Sequence, residues 1–138
     1  MKFDAKLLMA GAALTIASTG ATAGWVDVGD TQTVTAYVDT TTVRKTGDLV
    51  TMWDLLVYKK AQEIPSGKSF KSVRAQTEYS CKEKNLRPLT ASAHSETMAQ
   101  GGTVHAVSEP GQWRAVPPGS LDEVLWNVAC GKKITKAL

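Results

Sequence analysis

The sequence predicts an α+β fold, in which one antiparallel sheet of about five to six strands carries a single packed C-terminal helix and one disulfide joins the two. Three observations support this. Side chains alternate between apolar and polar from Phe70 to Lys82, a period of two that is typical of a half-buried strand. A helix-capping sequence begins at Ser120, and the two cysteines, Cys81 and Cys130, lie near the ends of these two segments.

Residues 1–23 have the pattern of a secretory signal peptide. Two lysines precede a short apolar stretch, and Ala21 and Ala23 provide the small residues of a cleavage site. The apolar stretch is shorter than the roughly 20 residues that a membrane-spanning helix needs, and no later segment is long or apolar enough to be such a helix. We therefore expect an exported mature domain of residues 24–138 with no membrane span.

Charge and cysteine content narrow the class of protein further. The formal net charge is +3 for the whole chain and +2 once the signal peptide is removed. A nucleic-acid-binding protein would show a strongly basic face, so that class is not expected. Neither cysteine lies at the cleavage site, so we expect no lipid anchor. The mature domain should be periplasmic, secreted or at the cell surface.

The two cysteines are predicted to form one structural disulfide. Exported small domains commonly use such bridges, and closing a loop of about 50 residues stabilises the fold by roughly 4 kcal/mol in the loop-closure model. The alternative is a reactive thiol pair, which usually occurs as Cys-x-x-Cys near a helix N-terminus. Cys81 and Cys130 are too far apart in sequence to fit that pattern.

The first half of the mature chain is predicted to be extended. Two β-branched segments, separated by a turn near Asp39, precede a segment that is apolar on both faces, as in a central strand. Gly, Pro and Asp mark the turns between them. The predicted elements are strands Thr33–Asp39, Thr40–Lys45 and Leu49–Tyr58, a turn at Thr46–Asp48 and a hairpin loop at Lys59–Lys68.

The second half is predicted to contain further strands and the helix. Val73, Ala75, Thr77 and Tyr79 should face the interior from the strand Phe70–Lys82. Later extended segments are Leu89–His94, Thr103–Val107 and Trp113–Val116.

The helix begins with a capping box. The Ser120 hydroxyl is placed to accept from the Glu123 amide, while the Glu123 side chain reaches back toward the start of the helix. Gly131 is suited to the residue after the helix C-terminus. One apolar stripe should pack on the sheet, formed by Leu121, Val124, Leu125, Val128 and Ala129.

Asp54 is the one acidic residue in an otherwise apolar central strand. A buried carboxylate is costly without a partner, so Arg44 or Arg74 is expected to pair with it. A structural ion pair is favoured over a catalytic acid.

Lysines and tryptophans are the candidate binding residues. Of four tryptophans most are expected in the core, with Trp25 and Trp126 partly exposed, and exposed tryptophans are typical of interface hot spots. Basic patches bind anionic polysaccharide or protein, although such lysines are more often simply solvated surface. The candidates are Lys59, Lys60 and Lys68 in the predicted hairpin, Lys132, Lys133 and Lys136 in the C-terminal tail, and Trp126.

Catalytic and metal sites are poorly supplied with residues. The chain has two histidines, His94 and His105, whereas a zinc site needs three or four ligands. A Ser-His-Asp triad would have to use Ser92 or Ser95 with Asp54, without a Gly-x-Ser-x-Gly elbow. We expect neither an enzyme nor a cofactor.

Several short motifs occur in a characteristic order along the mature chain. They are Trp25-Val26, Tyr37-Val38-Asp39, Thr42–Lys45, Leu49–Trp53, Tyr79-Ser80-Cys81, Trp113–Ser120 and a helix ending at Cys130. This order resembles the bacterial surface-adhesin protein E family over roughly residues 24–131. The resemblance implies an antiparallel sheet with a packed C-terminal helix, a Cys81–Cys130 disulfide, and the option of a homodimer.

The resemblance also implies a function. The best-known members of the family bind host matrix and plasma proteins, but they are lipoproteins and this chain has no lipidation cysteine. We expect an exported non-enzymatic binding domain, whose partners are host extracellular-matrix or plasma proteins or an anionic polysaccharide. The alternative is a periplasmic structural or envelope-maintenance domain without a host ligand.

Overall fold

Seven strands and one helix make up residues 24–132, the part of the chain that this computed structural model describes. The predicted signal peptide, Lys133 and Lys136 lie outside the described residues. In chain order the elements are β1 (Trp25–Asp30), β2 (Val34–Thr46), β3 (Leu49–Glu63), β4 (Ser69–Ser80), β5 (Asn85–His94), β6 (Thr103–Val107), β7 (Arg114–Ala115) and α1 (Leu121–Ala129).

The strands form one antiparallel sheet in which neighbours in sequence are neighbours in space. Their order is β1-β2-β3-β4-β5-β6, and the two-residue β7 pairs with β5 at Asn85 and Leu86, beyond the end of β6. The predicted α+β class, the single C-terminal helix and the disulfide are confirmed. Strand β3 is central, as its apolar sequence predicted.

Strand β2 corrects one prediction. No turn occurs near Asp39; the strand continues past it, with a bulge at which the register against β3 shifts. The Asp39 carboxylate accepts hydrogen bonds from the amide and hydroxyl of Thr41, and the Thr42 hydroxyl accepts from the Trp53 amide at 3.0 Å. Because these side chains satisfy the backbone across the bulge, the strand bends without ending.

The β3–β4 hairpin loop is shorter than predicted. Strand β3 continues through Lys59 and Lys60 to Glu63, so the turn covers only residues 64–68. Gly67 provides the left-handed conformation in this turn, with φ of +94°. Apart from Ala61 the extra strand residues are polar, and pairing of Gln62 and Glu63 with β4 rather than an apolar pattern keeps this end extended.

The helix begins as the capping box predicted. The Glu123 amide donates to the Ser120 hydroxyl at 3.2 Å, while the Glu123 carboxylate accepts from the Gly119 amide at 2.9 Å. At the other end Gly131 has a φ of +72°, as expected of a residue that follows a helix.

The helix is attached to the sheet at its C-terminal end. Cys81 and Cys130 form the disulfide, with their Cα atoms 5.7 Å apart. The Trp126 indole N–H donates to the Ser80 carbonyl at 2.9 Å. Trp126 is only 7% exposed, so the expectation that it is partly exposed is wrong.

The core lies between the helix and one face of the sheet, which we call the covered face. Val38, Met52 and Tyr79 are completely buried there, on three adjacent strands. The predicted interior positions of β4 from Ala75 to Tyr79 lie on this face. The helix contributes Leu125, Trp126 and Ala129 as its buried residues, and the rest of the predicted stripe is partly buried against this core: Leu121, Val124 and Val128.

Candidate functional site

The predicted binding lysines do not form one patch. Lys59 and Lys60 lie on β3 and Lys68 in the turn beyond it, whereas Lys132 follows the helix near the opposite end of β3. A strand of this length spans about 45 Å at roughly 3.3 Å per residue. Lys59 is also ion-paired with Asp30 at 2.9 Å.

Further lysines lie at the same end of the sheet as Lys132. Lys45 and Gly131 line one small cavity beside the disulfide, and Lys82 and Lys84 belong to the turn that follows Cys81. We call Lys45, Lys82, Lys84 and Lys132 the basic end. No periodic pattern in the sequence links these lysines, because the disulfide and the β2–β3 turn bring them together.

Trp126 lies beneath the basic end as a buried anchor. The Lys84 and Lys132 ammonium groups are 5.2 and 5.8 Å from the centre of its ring, within the range of a cation–π contact. Lys84 also pairs with Glu123 at 2.7 Å. Trp126 therefore supports the basic surface and is not itself an exposed contact residue.

We call the opposite side of the sheet the open face. It carries the tryptophans that belong to strands. Trp25 on β1 pairs with Asp39 on β2, which pairs with Trp53 on β3. The three side chains therefore form a row across the sheet. With Arg74, His94 and the segment 98–100 they line a cavity of about 350 Å³, the open-face groove.

Arg74 lies over the Trp53 ring, with its guanidinium carbon 3.9 Å from the ring centre. A second pair of the same kind joins Arg87 and Trp113 at 4.8 Å. Arg87 is ion-paired with Glu78 at 2.8 Å. Arg74 makes no ion pair or hydrogen bond with the described residues, so its guanidinium N–H groups have no acceptor among them.

The wall of the groove is a strained but well-held segment. Met98 and Ala99 both have positive φ angles, 56° and 59°, which costs of order 1–3 kcal/mol for each non-glycine residue. The Ser72 hydroxyl secures the segment by donating to the Glu96 carbonyl at 2.6 Å and accepting from the Ala99 amide at 2.9 Å.

Asp54 does not pair with an arginine, contrary to the prediction. Alternation along β3 directs it to the covered face, away from Arg74, where its carboxylate accepts from Thr77 at 2.7 Å and Tyr79 at 3.4 Å. Arg44 instead donates to backbone carbonyls of its own strand. Burial is the main cause that raises the Asp54 pKa to about 7. A cavity of about 210 Å³ adjoins it.

A Ser-His-Asp triad is not assembled. Ser92 Oγ lies 2.8 Å from His94 Nε2, but His94 Nδ1 has no partner among the described residues, and Asp54 is on the other face. Burial is the first cause that lowers the His94 pKa, followed by the charge of Arg74. Within residues 24–132 no three His, Cys, Asp or Glu side chains are grouped to hold a metal ion.

No helix among the described residues has the length and apolar character needed to cross a membrane.

Trp25 and Trp53 are half-buried and Trp113 is 37% exposed, so the expectation that most tryptophans are core anchors is wrong. The open-face groove was missed from the sequence, although Trp53 and an outward-facing Arg74 on neighbouring strands were the available indication.

Solved structures of protein E from Haemophilus influenzae have a similar fold. One has a TM-score of 0.60 and 16% identity, with 85% of this chain and 91% of that chain covered. A second crystal form has a TM-score of 0.62 and 15% identity, with 85% and 97% covered. Protein E from a non-typeable strain has a TM-score of 0.55 and 18% identity, with 84% and 80% covered. No curated protein sequence matches the chain.

The family model of surface-adhesin protein E matches residues 25–131. This range contains the whole sheet, the helix and both cysteines. Membership points to a non-enzymatic protein that is exported or at the cell surface. The chain therefore belongs to the surface-adhesin protein E family and is an adhesin-like binding domain.

Proposed function

We propose that the mature domain is an exported, non-enzymatic binding domain whose basic end attaches to host extracellular-matrix or plasma proteins or to anionic polysaccharide. The observation that carries the proposal is the grouping of Lys45, Lys82, Lys84 and Lys132 around the disulfide-anchored end of the helix. Lys133 and Lys136 would extend the same positive charge.

The basic end contains more lysines than acids, although Asp48 lines the same cavity as Lys45 and Glu83 lies between Lys82 and Lys84. Of its four lysines only Lys84 has an ion-pair partner among the described residues. The helix and the disulfide hold the surface in place, so a partner would not have to order it on binding. Dissolved ions screen the attraction between charges over about 8 Å at physiological salt, and over a shorter distance at higher salt. Binding through these lysines should therefore weaken as the salt concentration rises.

The test measures binding of the mature domain to immobilised heparin and to laminin. The double variant K82E/K132E should lose at least tenfold in affinity, and K132E/K133E/K136E should lose more. The matched control K60E/K68E changes the net charge equally at the far end of β3 and should bind like the wild type. Equal losses in both double variants would attribute binding to net charge and would remove the basic end from the proposal. A loss confined to K60E/K68E would transfer it to the hairpin lysines.

Export without a lipid anchor is part of the proposal. Cell fractionation should find the protein processed after residue 23, without a lipid, and either released or accessible at the cell surface. Protein confined to the periplasm would instead favour the structural or envelope-maintenance alternative.

A homodimer through a sheet edge is also proposed. Val26 on β1 and Val107 on β6 are 49% and 46% exposed, and these strands are the two ends of the strand order. Light scattering should give a dimer mass that either V26K or V107K reduces to that of a monomer. A monomeric wild type would contradict this part.

A further inference from the structure

The open-face groove has a chemistry of its own. Trp25 and Trp53 flank Asp39 in one cross-strand row, so their Cα atoms are about 10 Å apart at the usual strand spacing. The cavity of about 350 Å³ is within the range of small-molecule sites. No lysine of the basic end lines it, so the groove goes beyond the proposed function.

Arg74 is the group that selects the ligand's charge. Stacking on Trp53 holds the planar guanidinium in one orientation, and its N–H donors have no acceptor among the described residues. A guanidinium fork matches a carboxylate with two parallel hydrogen bonds. Arg87, which stacks on Trp113, already has Glu78 as its acceptor, so of these two stacked arginines Arg74 is the one available for an external anion.

The other groups at the groove suit a sugar ring. Indole rings pack against the apolar C–H groups of a pyranose. The Asp39 carboxylate already accepts from Thr41 through Oδ1, and Oδ2 remains to accept from a ligand hydroxyl. His94 also lines the groove, and its Nδ1 is a buried polar atom without a partner in the described residues.

Two other ligand classes fit less well. A quaternary ammonium would bind between indoles, but Arg74 already occupies the Trp53 face and would repel it. A densely sulfated chain would be repelled by Asp39, which lies in the middle of the row. A ring with one carboxylate and several hydroxyls satisfies both charges.

We propose that the open-face groove binds one carboxylated sugar unit, with its carboxylate on Arg74 where the guanidinium covers Trp53, its ring against Trp25, and a hydroxyl on Asp39. The shared chemistry covers uronic acids and the larger nonulosonic acids. The segment 98–100, held in its strained conformation by Ser72, forms the wall that limits the size of the ligand.

The test uses NMR of the mature domain, residues 24–138, titrated with glucuronate, N-acetylneuraminate or glucose. At least one acid should shift the indole N–H signals of Trp25 and Trp53, while those of Trp113 and Trp126 serve as internal references. That acid should bind at least tenfold more tightly than glucose. Failure of both acids to shift these two indoles, or equal binding of glucose, would overturn the proposal.

Variants separate the groove from the rest of the surface. R74Q should weaken binding of the acid at least tenfold and leave glucose unchanged, and R74K, which keeps the charge without the fork, should be intermediate. R87Q removes the other stacked arginine and should bind like the wild type, as should K82E/K132E. The spectrum itself reports whether each variant is folded. Wild-type affinity in folded R74Q would overturn the assignment.

Discussion

The two faces of the sheet are built from the same strands but hold opposite kinds of side chain. On β3, Met52 points to the covered face and is completely buried, while Trp53 points to the open face and is half-buried. The covered face has the helix, the disulfide and most of the apolar core. The open face has polar and stacked side chains under a single short segment. Because the side-chain period of a strand is two, alternate residues of one strand contribute to the core and to the open-face groove.

The division between the two faces has one exception on each side. The covered face contains a buried acid, Asp54, and the open face contains the completely buried Leu55. An ionisable group therefore lies on the covered face, and a completely buried apolar residue lies on the open face. Substitutions on each face test how far the division holds.

The largest effect is expected from the disulfide. The double variant C81S/C130S should lose about 4 kcal/mol of unfolding free energy, because a loop of 49 residues is no longer closed in the unfolded chain. Urea unfolding measures this. Arg74→Gln on the open face should change stability by less than about 0.5 kcal/mol. If both changes destabilised the domain alike, the division between the faces would fail.

The next effect is a pH dependence that originates at Asp54. Its pKa is about 7 in the folded state, whereas the ordinary value for an aspartate is 3.8, so the folded state binds more protons between these values. Stability should therefore fall as pH rises, by about 2–3 kcal/mol between pH 5 and pH 8.

The variant D54N isolates this contribution. It should remove most of the fall in unfolding free energy between pH 5 and pH 8, and be the more stable protein at pH 8. His94, whose pKa is lowered, contributes with the opposite sign in both proteins and cancels in the comparison. The same pH slope in D54N and in the wild type would contradict the assignment.

A smaller loss of stability is expected when the buried Trp126 is replaced, and almost none when the exposed Trp113 is replaced. Trp126→Phe should cost about 1–3 kcal/mol, because the Ser80 carbonyl loses its donor in a buried site. Trp113→Phe, at a residue that is 37% exposed, should change stability by less than about 0.5 kcal/mol. Thermal unfolding of the two variants provides the comparison, and similar losses would mean that exposure does not predict the cost.

The smallest effect concerns the helix start. Ser120→Ala should cost about 1 kcal/mol, since the Glu123 amide loses its cap. Denaturant unfolding measures the loss. NMR titration should show that the same variant leaves the open-face groove unchanged, because the helix packs on the other face. A change in sugar binding would show that the faces are coupled.

The sheet and the helix were predictable because each depends on a local pattern. The alternation within β4 and the capping box at Ser120 each involve a few neighbouring residues. The disulfide was predictable because the chain has two cysteines. The bulge after Asp39 and the polar end of β3 were not predicted. In both, hydrogen bonds to a neighbouring strand override a sequence that otherwise indicates a turn or a loop.

The candidate sites were predicted in part. Lysines were identified by type, but their grouping into a basic end depends on where the disulfide brings the helix. The row formed by Trp25, Asp39 and Trp53 joins residues that are 14 positions apart, and only the strand register places them side by side.

By itself the sequence determined the fold class, the secondary structure of most segments and the covalent link between the helix and the sheet. The first two follow from side-chain period and backbone capping, which are properties of short segments, and the third from the presence of two cysteines in the chain. The tertiary structure alone decided which tryptophan is buried, that Asp54 is held by two hydroxyls and not by an arginine, and that Arg74 is left without an acid. Those outcomes depend on which residues meet across strands and on which face the helix covers, and no local pattern contains that information.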